Sequence, residues 1–280
     1  MSSPIHLCIM SDDFGMHPAV NDGIAQAFID GLLTDANLMA PCPAFKEAAA
    51  LARDLHLPVG FHATLTCDWD RCFWGPLTQA PSLVTPEGYF KYLVSLAWGE
   101  AKDEEVLREL TAQVQAIEAE GLYITHSSYH MGTDGHGRLM RTLGQIGFGR
   151  VGPMRLVHPA GDSDPEAAPV EAYIWDSAFF SSDWELDYTA RKARLVSRLK
   201  AMGPGYHLWM VHAALDHPSL DDLCSADFFA RDWARPFRAL DQKLLLDLEI
   251  KELIAELYIQ RIPVEQAPHR LVLAKGPEME

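Results

Sequence analysis

Positive charge is scarce in this sequence relative to negative charge. Lys and Arg number 23 against 39 Asp and Glu, giving a formal net charge of −16 over 280 residues. Binding to nucleic-acid phosphates or an anionic bilayer needs clustered Lys and Arg, so neither is expected as a partner. A neutral or cationic small substrate is compatible with this balance, although surface charge speaks mainly to solubility. Cysteine is sparse and odd in number: Cys8, Cys42, Cys67, Cys72 and Cys224 are scattered along the chain. That usage fits a reducing, cytoplasmic compartment better than a disulfide framework. Cys67 and Cys72 have no matching second pair, so a zinc knuckle is not expected. No apolar run approaches the roughly 18 residues of a membrane span. The first residues have neither a basic flank nor a long apolar core, so no signal peptide is expected. The first strand is not followed by GxGxxG, which counts against dinucleotide binding. Internal repeats and low-complexity segments are also missing.

What is present is a large apolar fraction, 48% of the residues, enough for a sizeable core at this length. Strand-like and helix-like stretches alternate. Ile5–Met10 reads as a buried strand, Pro18–Gly31 as a helix, Ala36–Ala40 as a strand and Phe45–Leu55 as a helix. Pro58–Thr66 follows as a strand with its turn, and Asp103–Glu120 as an amphipathic helix with the stripe Val106, Leu110, Val114 and Ile117. Leu122–Ser127 is read as a strand, Leu139–Ile146 as a helix, Met154–Val157 as a strand and Gly161–Pro169 as a loop. Tyr188–Met202 is a helix, Tyr206–Val211 a strand, Phe228–Leu257 one or two helices, and Ile262–Glu265 a last strand. This alternation implies an α/β fold with right-handed crossovers. About seven βα units point to an irregular (β/α) barrel in one catalytic domain over residues 1–280. The stretch 67–102 breaks the pattern: it holds Trp69, Phe73, Trp74, Tyr89, Phe90, Tyr92 and Trp98 among Pro and Gly. It reads as a lid over a site, or as a satellite apolar cluster.

Polar residues gather at four predicted strand ends. The first brings Asp12 and Asp13, the third His62, the fourth His126 and His130, and the sixth His212. In a parallel barrel those ends share one face. Two adjacent carboxylates at a buried strand end are costly unless a cation offsets them. Asp is also a favoured helix cap, and a lone strand histidine is usually an ordinary core residue. Together, a carboxylate and two imidazoles form a three-ligand set with open positions, which suits a catalytic divalent metal. Trp69, Trp74, Trp175 and Trp184 could offer stacking faces to a ligand, and Arg155 could bind a hydroxyl or carboxylate. Packing and a surface ion pair are the ordinary roles for these. His136 is expected to be a solvated loop residue.

Asp12-Asp13-Phe14-Gly15, Asp30-Gly31-Leu32-Leu33-Thr34, Gly60-Phe61-His62 with Leu65-Thr66, Gly121 through His130, Met210-Val211-His212 and Arg238 to Glu256 together resemble the YdjC-like carbohydrate deacetylases, the family of chitooligosaccharide deacetylase. The resemblance spans most of the chain. It implies a (β/α) barrel related to polysaccharide deacetylases and a metal-dependent hydrolase that removes acetyl groups from N-acetylated sugars. Carried over by position, Asp13, His62 and His126 would hold one divalent ion, Mg2+ or Zn2+. Asp12 would be the general base and His212 the general acid. His130 would support a ligand or contact the sugar, with Arg155, Trp69 and Trp74 as further substrate contacts. The chain departs from the family in Ser128-Tyr129-His130-Met131-Gly132, where an acid and an imidazole are missing, and in His212-Ala213-Ala214, where the family has H-P-G.

The expected partner is a small N-acetylated sugar, with homo-oligomerisation left open. Three rivals differ in chemistry. A metal-dependent hydrolase of phosphoesters, of another ester or of other amides keeps the ion and changes the reaction; a phosphate substrate needs several basic residues at the site, and beyond Arg155 and Arg138 few are available. A non-catalytic carbohydrate-binding barrel would release no acetate. A glycosidase needs two carboxylates about 5–10 Å apart across a glycosidic bond, which the adjacent Asp12 and Asp13 do not offer.

Overall fold

The computed structural model describes residues 3–132, 142, 145–146, 169–181 and 187–273. Its central strand, β1 (Ile5–Phe14), pairs in parallel with β2 (Asp35–Leu38), β7 (Gly205–Val211) and, at its amino end, β8 (Ile259–Arg261). β3 (Val59–Ala63) and β4 (Ile124–Tyr129) extend the sheet on one side and β6 (Ser177–Phe180) on the other, giving the order β4-β3-β2-β1-β7-β6. These seven strands are parallel, and the fold is α/β, as the alternation in the sequence requires. A separate antiparallel pair joins β5 (Pro169–Tyr173) to β9 (His269–Leu273).

Side chains alternate across the pleat, and the two faces of the sheet have separate fates. Leu7, Ile9, Trp209 and Val211 pack outward with the helices α1 (Pro18–Ile29), α2 (Phe45–Leu55) and α4 (Asp103–Ala119) in the main core. Cys8, Met10, Leu208 and Met210 point the other way, into a smaller inner cluster with Tyr173, Ile262 and Val264. A sheet filled with side chains inside and covered by helices outside has the layering of a (β/α) barrel. All five cysteines are free, and no described helix is long and apolar enough to cross a membrane.

Most element positions expected from the sequence are found within a residue or two. Phe228–Leu257 resolves into α6 (Pro236–Leu246) and α7 (Leu248–Glu256). Asp247 divides them: its Oδ1 accepts N–H bonds from Glu249 and Ile250 as the cap of α7. The strand expected at Ile262–Glu265 is not formed. Pro263 has no N–H to give a ladder, and the Val264 N–H is taken by Asp35, so a short 3-10 turn forms at Val264–Gln266. The expected elements at 139–146 and 154–157 and the loop at 161–169 fall almost wholly outside the described residues.

Segment 67–102 contains a 3-10 turn (Pro81–Leu83), a single antiparallel bridge between Val84 and Phe90, and a short helix, α3 (Val94–Glu100). It is fixed to α4 by carboxylates. Glu109 accepts bonds from the backbone N–H groups of Leu77 and Thr78, and Glu105 accepts them from Ser82 N–H and Oγ. Gln113 closes a two-way bond with the backbone of Thr64, where the segment leaves β3.

Candidate active site

In a regular strand Asp12 and Asp13 would face opposite sides. Two features bring them together. The β1–β2 register shifts between Ser11 and Phe14, and Asp13 adopts φ 67°, a left-handed conformation that Asp tolerates better than most residues. The Met16 N–H then bonds to the Asp13 carbonyl at 3.0 Å, closing the turn. As a result both carboxylates line one cavity of about 600 Å3, together with His62, His130, His212 and Arg238. That volume is typical of a small-molecule site.

Asp13, His62 and His130 are buried, and their nearest donor atoms all lie within 4.8 Å of one another. His130 Nδ1 stands 3.1 Å and His62 Nε2 3.6 Å from Asp13 Oδ1. Each group is held at its far atom. Arg238 Nη2 donates to Asp13 Oδ2 at 2.7 Å, His62 Nδ1 meets Ser128 Oγ at 2.6 Å, and His130 Nε2 meets Asp68 Oδ1 at 2.7 Å. Asp13 Oδ1 is buried with no well-aligned hydrogen bond, its neighbours being the His130 and His62 ring nitrogens at 3.1 and 3.6 Å. An unsatisfied buried carboxylate oxygen is costly, and a divalent cation would relieve it. One carboxylate and two imidazoles are a donor set such cations accept. Burial alone would raise the Asp13 pKa, but the Arg238 and His130 charges outweigh it and hold the carboxyl well below its usual range. Burial lowers the His130 pKa, yet Asp68 and Asp13 on either side prevail and push it up to about 10. A cation at this point would therefore compete with a proton for His130 Nδ1.

The sequence reading placed His126 in this set and gave His130 a supporting or sugar-contacting role. The structure brings His130 to Asp13 and His62 instead. His126 sits inside β4 with Nε2 on Asn37 Oδ1 and Nδ1 on Thr125 Oγ1, both at 2.7 Å. Those bonds leave it no ring nitrogen for the shared point. Burial, with His62 nearby, pushes its pKa down to about 3, so the imidazole is neutral.

Asp12 and His212 face each other in the cavity. Asp12 Oδ1 accepts a bond from Asn37 Nδ2 at 2.5 Å, and its Oδ2 lies 3.9 Å from His212 Nε2. His212 follows β7. Its backbone N–H donates to Asp241 Oδ2 at 2.8 Å, and Asp241 is paired in turn with Arg191 of α5 (Tyr188–Ala201) at 2.9 Å. The His212 ring lies edge-on to Trp233 and parallel to Phe180. Burial lowers its pKa against the opposing pull of Asp13 and Asp12.

Trp69 lines the cavity, with its Nε1 donating to Met16 Sδ. Trp74 is not among the lining residues: it is buried, bonded to the Thr66 carbonyl, with its ring 6.2 Å from His130. Trp175 packs against the inner cluster. Arg155, Arg138, His136 and Trp184 lie outside the described residues. The sequence reading missed Asn37, Asp68, Phe229, Trp233 and Arg238. Asp68 sits in the noted aromatic segment, whereas Arg238 reaches Asp13 from 225 residues away with no local signal.

A family model described as YdjC-like protein matches residues 6–256. Proteins named carbohydrate deacetylase are similar in part. The one from Geobacillus stearothermophilus is 36% identical over 158 residues, 56% of this chain and 62% of that protein. The one from Brevibacillus brevis is 38% identical over 136 residues, 46% and 50% of the two chains. A human relative of the same name is 35% identical over 137 residues, 46% and 42%. The chain thus spans about half the length of the curated relatives it matches. Among solved structures, an Enterococcus faecalis protein provisionally named for cellobiose-phosphate cleavage superposes with TM-score 0.71 at 24% identity, covering 94% of this chain and 98% of its own. That likeness shows a shared fold.

Proposed function

Because the chain belongs to the YdjC-like protein family, we propose that it is a metal-dependent hydrolase removing acetyl groups from N-acetylated sugars or oligosaccharides in the cytoplasm. Its partial relatives named carbohydrate deacetylase support this reading. The observation that carries it is the meeting of Asp13 Oδ1, His62 and His130 in one cavity with Asp12 and His212. Asp13, His62 and His130 would hold the cation, Mg2+ or Zn2+. When bound, such a cation polarises an amide carbonyl and acidifies water.

The remaining work falls to the chain's own groups. Asp12 accepts a proton from the attacking water on Oδ2, the oxygen that faces the cavity. His212 faces that oxygen at 3.9 Å; its neutral ring takes over the proton that Asp12 removed from water, and the imidazolium so formed delivers it to the nitrogen as the carbon–nitrogen bond breaks. Arg238 keeps Asp13 ionised. Trp69 and Tyr92, both from segment 67–102, and Phe229 from the opposite loop form an apolar side of the same cavity. They give the sugar a surface to lie on, and segment 67–102 covers the site within one catalytic domain.

The test is acetate release from N-acetylglucosamine and its oligomers by purified protein of known metal content, beside Asp12→Asn. The expected result is metal-dependent release by the natural chain, and a variant that keeps its metal but loses about 10^2–10^4 in rate. Release by Asp12→Asn at the natural rate would remove Asp12 as the base. No release from any N-acetylated sugar by metal-loaded protein would overturn the deacetylase reading.

A further inference from the structure

We propose that Asn37 is a positioning residue for Asp12, and that His126, through its Nε2–H, fixes which way the Asn37 amide faces. The inference rests on the reading of Asp12 as the proton acceptor, and it assigns His126 a role other than holding a cation.

An asparagine amide has nearly the same shape either way round, so its hydrogen bonds decide its orientation. Toward Asp12 only the NH2 end is useful, since an ionised carboxylate can only accept. A reversed amide would set oxygen against Asp12 Oδ1 at the observed 2.5 Å. The choice is made at the other end, where His126 Nε2 lies 2.7 Å from Asn37 Oδ1. A neutral imidazole carries one proton. With that proton on Nε2, Nδ1 is an acceptor, and the Thr125 hydroxyl lies 2.7 Å from it, closer than the 3.1 Å to the Val59 carbonyl that competes for the same hydroxyl proton. The second Asn37 N–H faces Met10 Sδ at 2.9 Å, so both ends of the amide are engaged.

The path crosses four neighbouring strands, from His126 on β4 over β3 to Asn37 on β2 and Asp12 on β1. β3 would block it if it carried a side chain there. The residue is Gly60, where a Cβ would lie 2.2 Å from His126 Nε2 and 2.6 Å from Asn37 Oδ1. Asn37 and His126 are each 1% exposed, so solvent cannot substitute for either bond. Buried polar chains are costly unless every member is satisfied, and this one ends at the carboxylate beside His212. With Oδ1 occupied, Asp12 presents Oδ2 to the cavity.

The experiment compares His126→Leu, His126→Gln and Asn37→Ala in metal-loaded protein. Glutamine can place an N–H near the Nε2 position, and leucine cannot. His126→Leu and Asn37→Ala are expected to lose about 10- to 100-fold in kcat with KM within about threefold and metal content unchanged, the scale of a misplaced catalytic group. His126→Gln should stay within about threefold of the natural chain. Should His126→Leu fail to fold, Asn37→Ala tests the same link from its other end. Independently of turnover, 15N-labelled protein should show a His126 ring protonated at Nε2 and bare at Nδ1, with its resonances displaced in Asn37→Ala. A ring protonated at Nδ1 alone, natural kcat in Asn37→Ala, or His126→Gln as impaired as His126→Leu would each overturn the proposal. Metal loss in both His126 variants would also overturn it and make His126 a ligand. If the natural chain releases no acetate, the deacetylase reading falls, and the ring spectrum still decides the His126–Asn37 geometry.

Discussion

Ser128 Oγ lies 2.6 Å from His62 Nδ1, at the position where the deacetylase resemblance places a carboxylate. A hydroxyl can accept the Nδ1 proton and so leave Nε2 bare toward Asp13. It supplies no negative charge to make the ring a stronger donor. Groups that orient a ligand imidazole in this way typically matter by 10- to 100-fold in metal affinity. Ser128→Ala is therefore expected to weaken divalent-metal binding by about tenfold or more, and Ser128→Asp to strengthen it. Titration calorimetry with Zn2+ and Mg2+ reads both changes. Equal affinity in all three proteins would mean that His62 does not hold the ion.

Metal content tests Asp13 and His130 as ligands. Asp13→Asn and His130→Ala are each expected to lose most bound metal, measured by elemental analysis after dialysis. An amide is a poorer ligand than a carboxylate, and Asn also tolerates the left-handed backbone at this position, so the first variant tests ligation with the bend preserved. Full metal occupancy in either protein would remove that residue from the set.

Phe229 is 80% exposed, yet it lines the cavity and rests against Phe228 and Tyr92. Phe229→Ala should raise KM for N-acetylated oligosaccharides several-fold while leaving kcat within about twofold, since a binding face acts on ground and transition states alike. Initial rates on a monosaccharide and on a trisaccharide supply the measurement. Unchanged KM for both would show that the ring does not touch the sugar.

Asp35 gives a stability prediction with a definite sign. It is fully buried, accepts the Val264 N–H and the Cys8 thiol, and burial pushes its pKa up to about 7. The folded chain therefore keeps a proton that the unfolded chain releases near pH 4. This contribution is present below pH 4 and is lost as pH rises to about 7, at no more than roughly 1.4 kcal/mol per pH unit. The stability of Asp35→Asn relative to the natural chain should thus rise from pH 4 to 7 in urea unfolding. His126, whose depressed pKa contributes an opposite slope, is present in both proteins and cancels. A flat difference across that range would show an ionised Asp35.

How far the site was legible depended on whether its signal was local. The apolar run ending in Asp12 and Asp13 announced a strand end, and the stripe from Val106 to Ile117 announced α4. His126, in β4, and His130, just past its end, could not be told apart in this way. His126 and His130 are four apart, so an extended chain presents both to the same side. Which one reaches Asp13 depends on where β4 ends and on the absence of a side chain at Gly60 across the sheet. Arg238 meets Asp13 only through the closure of the whole fold. Pro263, by contrast, was a local signal, and it argued against the strand expected there.

Glu105 and Glu109 order segment 67–102 from outside it, by receiving backbone N–H groups that have no sheet of their own. The segment is therefore not a portable module. Transplanted to another barrel without the acidic face of α4, it would arrive with those amides unsatisfied. New residues should be accommodated between the anchored amides at Leu77, Thr78 and Ser82 more readily than at them. Segment 67–102 and α4 are expected to tolerate change only together.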